Sequence, residues 1–295
     1  MQESFRSGYV SIIGRPNVGK STLLNALLGQ KISIVAARPQ TTRNRILGIK
    51  NLPEAQIIFI DTPGIHKPQN LLGEAMVRTA REVLEEIDVV LFVAEAGRQA
   101  EKDRIIIESL ARVAKPVFLI INKIDEVKKQ DILPMMDGYS ELFHFSEIIP
   151  VSALKGDGIG IVLQKILEHL PAGPKYYPDD IVTDQIERFM AAEIIREKIM
   201  EKTGEEVPYS VAVDIDSWTE RPDGVVAIAG NIYVEREGQK GIIIGAKGRM
   251  LKEVGTLARV DIERLLGTRV FLQLWVKVKR GWRDDKKILH DLGYR

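Results

Sequence analysis

The sequence predicts an α/β chain in two parts, a doubly wound parallel sheet followed by a smaller α+β unit. Three observations carry that prediction. Over the first 170 residues, short β-branched runs alternate with amphipathic helical stretches, the βαβ rhythm of a parallel sheet. Between Pro171 and Pro178, three prolines and a glycine fall within eight residues, which reads as a linker. Beyond it the order changes to α-β-β-α-α-β. The expected boundaries are therefore 1–170, a linker at 171–182, and 183–295.

Taken in order, Tyr9–Ile13 reads as a strand that ends in a Gly-rich turn, and Ser21–Gly29 as a helix. Gln56–Ile60, Val89–Ala94 and Val117–Ile121 are apolar runs, as expected of strands buried on both faces. Gly73–Glu86 and Lys102–Val113 have helical character between them. After the linker, Thr183–Thr203 reads as a helix, and Tyr209–Ser217 and Val225–Arg236 as strands joined through Pro222, Asp223 and Gly224. A short helix at Gln239–Ile244, a longer one at Arg249–Leu266 and a strand at Arg269–Lys279 complete the series.

Composition narrows the chemistry. The net charge of +1 means that any nucleic-acid surface must be local. There is no Cys, which excludes disulfides, thiolate metal sites and a cysteine nucleophile. His66, His144, His169 and His290 lie far apart, and no two form a ligand-like pair. The N-terminus lacks the apolar core of a signal peptide, and no apolar run approaches ~18 residues, so a cytoplasmic protein is expected.

The strongest motif is Gly14-Arg15-Pro16-Asn17-Val18-Gly19-Lys20-Ser21, with Thr22 next, a GxxxxGKS loop between a strand and a helix. Its backbone N–H groups and the helix N-terminus form an anion cradle for phosphates. Lys20 is placed to reach the β- and γ-phosphates, and Ser21 to offer a hydroxyl to Mg²⁺. Asp61-Thr62-Pro63-Gly64 closes a buried strand, where open α/β sheets bind ligands. Asp61 suits Mg²⁺, through water, and Gly64 can bring its N–H to a γ-phosphate.

Asn122-Lys123-Ile124-Asp125 closes another strand and points to guanine. Asp125 can accept from N1 and N2 of that base, Asn122 suits its acceptor side, and the Lys123 stem can cover its face. Adenine has no N2 donor, and a site left with unpaired polar groups discriminates by on the order of 10⁴. Ser152-Ala153-Leu154-Lys155 follows the next strand and can add a backbone N–H towards O6. Between the first two motifs, Arg38 to Arg45 is polar and aperiodic, and Thr42 or Thr41 is the candidate for a second hydroxyl on Mg²⁺. Together the four motifs resemble the small GTPase superfamily over roughly residues 8–170, a P-loop NTPase G domain binding GTP or GDP. Lys20, Thr42, Asn17 and Gly64 are then the candidates for catalysis.

One position departs from that pattern. Many GTPases place a water-orienting Gln after the glycine of DxxG, but here it is Ile65. With Ile65, Asn17 resembles the TrmE-Era-like translation GTPases. That resemblance implies a potassium ion held by Asn17 near the phosphates, supplying charge that an arginine finger supplies elsewhere.

In the second part, Ile244-Gly245-Ala246-Lys247-Gly248-Arg249 sets GxxG between two helices and resembles a type II KH domain. The loop of such a domain clamps the backbone of about four single-stranded nucleotides. Lys247 and Arg249 offer phosphate contacts, and Ile243, Ile244 and Val254 or Leu257 are candidates to line a groove for bases. From Lys240 to Lys287 there are 13 Lys/Arg against 5 Asp/Glu. Near the C-terminus Trp275, Lys277, Lys279, Arg280 and Trp282 interleave basic and aromatic residues, as an RNA surface does, with Lys279 and Arg280 the candidate contacts. Leu272, Leu274, Val276 and Val278 also alternate as the core face of a strand.

One G domain followed by such a KH domain resembles, over nearly the whole chain, RNA-binding members of the TrmE-Era-like family. The resemblance implies binding to the 3′ end of 16S rRNA, a role in 30S ribosomal subunit assembly and loose association with the inner membrane; a monomer is the default expectation for a switch of this kind. A scaffold that binds GTP but barely hydrolyses it is the alternative. A tRNA-modifying GTPase is disfavoured by the absence of a Cys-bearing tail, and a tandem-G-domain relative by the single GxxxxGKS.

Overall fold

The computed structural model describes residues 5–35, 41–65, 67–83 and 87–294. Arg38, Pro39 and Gln40 of the polar loop, His66 and the expected helix end at Glu86 lie outside the described residues. The chain divides into two compact units. The first comprises residues 1–33, 42–68 and 74–184, and the second takes in Ile34–Thr41, Gln69–Gly73 and Gln185–Arg295.

In the first unit β1 (Arg6–Gly14), β3 (Ala55–Asp61), β4 (Val89–Glu95), β5 (Val117–Asn122) and β6 (Glu147–Pro150) are parallel. An edge strand, β2 (Ile46–Leu52), runs antiparallel to β3 through the tight turn at Pro53 and Glu54, so the sheet is mixed rather than wholly parallel. The order is β2-β3-β1-β4-β5-β6. The direction of winding reverses beside β1, and its C-terminal end is where such sheets hold ligands. Strands β3, β4 and β5 are buried along their whole length, as the apolar runs require. The helices of this unit are α1 (Lys20–Leu28), α2 (Leu71–Glu82, whose first turn belongs to the second unit), α3 (Arg104–Leu110), α4 (Ile132–Ser140) and α5 (Ile159–His169).

The proline-rich stretch after α5 is laid along this unit. Ser7 donates its N–H to Pro171 O (3.2 Å) and its hydroxyl to Pro174 O (2.6 Å). Gln56, fully buried at the head of β3, accepts from the N–H groups of Tyr176 (2.8 Å) and Tyr177 (2.9 Å). Ile49 N–H reaches Val182 O, and the Thr183 hydroxyl reaches Leu47 O (2.6 Å).

The second unit has the order expected, with two small additions. Helix α6 (Glu187–Lys202) and a single turn, α7 (Val207–Ser210), precede β7 (Ala212–Glu220) and β8 (Val226–Val234). Helices α8 (Glu237–Ile244) and α9 (Arg249–Leu266), strand β9 (Val270–Val278) and a C-terminal turn of helix, α10 (Lys286–Asp291), follow. Strand β8 is central, antiparallel to β7 and parallel to β9. Ile228, Ile232, Val270 and Val276 of the sheet meet Ala191, Ile195 and Ile199 of α6 and Val254, Ala258 and Ile262 of α9 in one core. The α9 residues fall four apart, the stripe of a helix with one buried face.

Candidate functional site

The P-loop leaves β1 between β3 and β4, with Gly14 opposite Val93 and Ile12 opposite Asp61. Its backbone turns through a left-handed Asn17 (φ 67°) and Gly19 into α1. Lys20 is buried and folds back to donate to Gly14 O (3.3 Å) and Arg15 O (3.1 Å). Burial lowers its pKa to about 8, although the Asp61 carboxylate opposes the shift. Thr22 is half-buried on the first turn of α1.

Three predicted metal-site residues converge. Ser21 Oγ lies 2.8 Å from Thr42 Oγ1 and donates to Asp61 Oδ2 (2.7 Å), and Thr42 Oγ1 lies 3.1 Å from the same oxygen. Ser33, which the sequence reading did not single out, adds a third hydroxyl at 3.0 Å. Burial pushes Asp61 upwards, while Lys20 and the three hydroxyls pull it back. Its other oxygen, Oδ1, is buried without a hydrogen-bond partner. An orphaned carboxylate oxygen beside hydroxyls is an all-oxygen donor set that fits a hard cation such as Mg²⁺. Among the described residues no group of three His, Asp or Glu offers another metal site.

Gly64 packs against the P-loop, and a Cβ there would fall 2.8 Å from Pro16 N. Thr62 is buried and caps Ile12 O (2.9 Å), Pro63 is buried beside it, and Ile65 N–H donates to Gly14 O (3.2 Å). The Ile65 side chain is 5% exposed, within the core with Phe92 and Ala94. A Gln in that place would leave a buried amide unpaired at ~1–3 kcal/mol, so here the residue after DxxG serves packing.

Asn122 is tied into the protein, with one of its two Nδ2 hydrogens left outside the bonds that hold it. Its Nδ2 donates to Val18 O (2.9 Å) and its Oδ1 accepts from Ala153 N (3.0 Å). It therefore ties the P-loop to the loops after β5 and β6 and is engaged within the protein on both sides. The N–H of Ala153 is likewise taken. Ser152 is buried and accepts from Lys155 N (3.2 Å), and Leu154 projects into solvent. Lys123, in a left-handed conformation (φ 67°), bonds Glu95 (2.8 Å), which stands level with Asn122 on the neighbouring strand. The signal for Glu95 was available as the one acidic residue that closes the apolar run of β4. Ile124 is half-buried and Asp125 exposed at the rim, leaving its carboxylate accessible to a base. Arg15 stands 4.0 Å from Asp103, which accepts from the buried Tyr139 hydroxyl (2.6 Å).

In the second unit Gly245 (φ 70°) ends α8 with no room for a side chain, because a Cβ would meet Met250 Cβ at 2.7 Å. Ala246, Lys247 and Arg249 are exposed, and Gly248 half-buried. Beside the loop lies a cleft of ≈ 380 Å³ lined by Gly248, Leu251, Lys252, Gly255, Leu272 and Leu274 among others. Two expected groove residues are elsewhere: Ile243 and Val254 are fully buried in the core. Ile244 is half-buried and Leu257 exposed. The Trp pair also separates. Trp275 is exposed, whereas Trp282 is fully buried, donates to Ser210 O (2.9 Å) and stacks on Tyr294. Lys279 lies over the Tyr233 ring (5.2 Å), and Arg280 lines a cavity with Glu235 and Arg236.

A phosphate-type loop, an oxygen cluster and an Asn-Lys-Ile-Asp strand end on one sheet, with a GxxG loop in the same chain, define a P-loop GTPase carrying a KH domain. Comparison with known proteins agrees: residues 9–123 match the family described as 50S ribosome-binding GTPase, and residues 206–283 match the KH domain. The GTPase Era of Geobacter metallireducens is 54% identical over 292 residues, covering 98% of this chain and 98% of its own. A crystal structure of Era in complex with MgGDPNP and nucleotides 1506–1542 of 16S ribosomal RNA superposes with a TM-score of 0.95 at 46% identity, over 98% of this chain and 99% of that one. A variant of Aquifex aeolicus Era bound to GDP·AlF₄⁻ gives 0.95 at 45%, with the same coverage. The chain belongs to the Era family of GTPases.

Proposed function

We propose that this chain binds GTP and GDP with Mg²⁺, hydrolyses GTP to GDP and phosphate, and binds the single-stranded 3′ end of 16S rRNA during assembly of the 30S subunit. The observation that carries the catalytic half is the meeting of Ser21, Thr42 and Asp61 at the C-terminal end of the sheet beside Lys20. In this reading residues 1–170 form the G domain and 183–295 the KH domain, joined by 171–182.

The P-loop N–H groups and the α1 N-terminus hold the phosphates. Lys20 turns from its two carbonyls to the β- and γ-phosphates, where its charge is stabilised. Ser21 and Thr42 would hold the metal by their hydroxyls, with the Asp61 carboxylate completing the oxygen set. Bound there, Mg²⁺ supplies charge that stabilises the transferring phosphoryl group. Asp125 accepts from guanine N1 and N2, with Asn122 bracing the loops around it. Asn17 would hold a potassium ion, as the family resemblance implies, and that ion would supply charge to the phosphoryl group. Turnover that is equal in sodium and potassium buffers would remove that last part. Loose membrane association and a monomeric state complete the reading, testable by vesicle sedimentation and by light scattering.

RNA binding is carried by the exposed Lys247 and Arg249 beside a cleft with an apolar floor. The solved relative in complex with a 16S rRNA fragment supports that RNA as the ligand. The test is binding of a labelled 16S 3′-end RNA by the GTP-analogue and GDP forms, for wild type and Lys247→Asp, at fixed salt. Tighter binding in the GTP form, lost in the variant, supports a nucleotide-gated RNA switch; equal binding in both forms removes the gating. Single-turnover phosphate release, with and without RNA, separates a GTPase from a scaffold that only holds GTP.

A further inference from the structure

Lys123 is held at both ends, and two consecutive residues, Glu95 and Ala96, do much of the holding. The peptide before Lys123 is fixed because Asn122 O accepts from Ala96 N (2.8 Å). The peptide after it is fixed because Ile124 N donates to Val151 O (3.2 Å), and Lys123 O itself accepts from Glu126 N (3.0 Å). A left-handed backbone (φ 67°) costs a lysine free energy, and these bonds keep it there. At the other end of the side chain, Nζ lies 2.8 Å from Glu95 Oε1. A free lysine stem samples many rotamers, whereas one pinned at backbone and ammonium is confined to the span between them.

The carboxylate at the far end is not an ordinary surface charge. Glu95 ends β4 directly after the apolar residues 89–94. Its side chain is 11% exposed, against 68% for Glu108 in an ion pair on the open face of α3. Burying an ionised side chain costs free energy unless it is paired. Glu95 is paired twice, because its Oε2 stands 2.6 Å from Arg98 Nε. The chain reaches Arg98 through a left-handed Gly97 (φ 81°), and Arg98 N returns to Glu95 O (3.4 Å). The turn after β4 thus supplies one cation, and the other oxygen is left for Lys123. All these residues belong to the first unit.

We propose that Glu95 is a positioning residue for guanine binding, holding the Lys123 ammonium so that the lysine stem lies ready over the face of the base. This role rests on the reading of residues 122–125 as the guanine site, and it divides the labour there. Asp125 reads the edge of the base, while the Glu95–Lys123 pair presents a preformed surface to its face. A surface already ordered costs less to bind than a lysine that must be ordered on contact. Glu95 itself touches no part of the nucleotide.

The test titrates the full chain with GDP and with inosine diphosphate, which lacks the N2 amine, and follows single-turnover hydrolysis at saturating GTP. Glu95→Ala removes a charge-assisted bond, and both affinities should fall about tenfold. Glu95→Gln keeps an acceptor without its charge and should lose about threefold. The two nucleotides should lose alike, because a stem over the ring does not meet N2, and the loss should fall on affinity rather than on the saturated rate. In a Lys123→Met background, which has an apolar stem but no ammonium, Glu95→Gln should change affinity less than about 1.5-fold. Arg98→Ala, on the other side of the same carboxylate, should stay within about twofold of wild type. If Glu95→Ala does not fold, Glu95→Gln decides by the same comparisons. Folded variants with wild-type affinity would overturn the proposal. So would a loss for GDP that spares inosine diphosphate, an undiminished effect in the Lys123→Met background, or an equal loss in Arg98→Ala. Those results would place the effect in edge reading, outside Lys123, or in the turn. A wild-type chain that binds GDP no better than ADP would instead remove the guanine-site reading beneath it.

Discussion

Around the P-loop, Lys20, Thr42, Asp61 and Asn122 are buried and bonded to one another or to backbone. Around the GxxG loop, Ala246, Lys247 and Arg249 stand in solvent beside a shallow cleft. The contrast teaches how each ligand is met. A nucleotide must replace bonds that already exist, so its binding depends on geometry and on the protonation of buried groups. RNA meets free charges, so its binding depends on salt and little on pH.

The sharpest test of the first half is Asp125→Asn. On the proposed reading it turns the acceptor for guanine N1 and N2 into a donor, and GDP affinity should fall on the order of 10³-fold, while RNA binding is unchanged. A loss below tenfold in competition titrations would mean that Asp125 does not read the base. Next in size, Thr42→Ala should slow single-turnover hydrolysis about 10²-fold with GDP affinity nearly intact. A variant that hydrolyses at the wild-type rate would leave the Ser21–Thr42–Asp61 cluster as mere packing.

A smaller effect comes from Lys20. Its pKa near 8 means that the free site loses its positive charge as pH rises through that value. Phosphates bind the charged form and raise its pKa, so nucleotide must bring a proton with it above pH 8. GDP affinity should be level below pH 7 and about tenfold weaker at pH 9. The linked statement for stability has a fixed sign. The unfolded chain keeps the proton up to the ordinary lysine range and the fold does not, so nucleotide-free stability declines as pH falls towards 8. Calorimetry at pH 7 and 9 in two buffers would check the proton count; a flat affinity would show that Lys20 is already charged without nucleotide. RNA affinity over the same range should barely move.

The same contrast explains what was legible in the sequence. GxxxxGKS, DTPG, NKID and GxxG are local patterns whose spacing dictates a turn between regular elements, and each turned out at a strand or helix end. What could not be read was who answers whom across the fold. Asn122 has the chemistry to meet a base, but only the tertiary placement of Val18 and Ala153 shows that it is already engaged. Strand β2 escaped because Gly48, Lys50 and Asn51 interrupt its apolar run, which an antiparallel edge tolerates. Trp275 and Trp282 sit in the same basic stretch; one is exposed on the strand and the other is buried and bonded to Ser210. The proline-rich stretch reads as a linker by composition, yet Gln56, the one polar residue heading an apolar strand, gives its backbone hydrogen bonds a destination.

The least drastic change separates the halves most cleanly. Arg249→Ala removes one exposed charge at the start of α9 without disturbing the core stripe of Val254, Ala258 and Ile262. RNA affinity should fall severalfold, and the slope of log affinity against log salt should drop by about 1. GTP hydrolysis without RNA should not change. A fall in affinity with the salt slope intact would mean that Arg249 shapes the loop rather than meeting a phosphate. In that case Lys252, which lines the cleft, and the exposed Lys247 become the charges to examine for the counterions that RNA displaces.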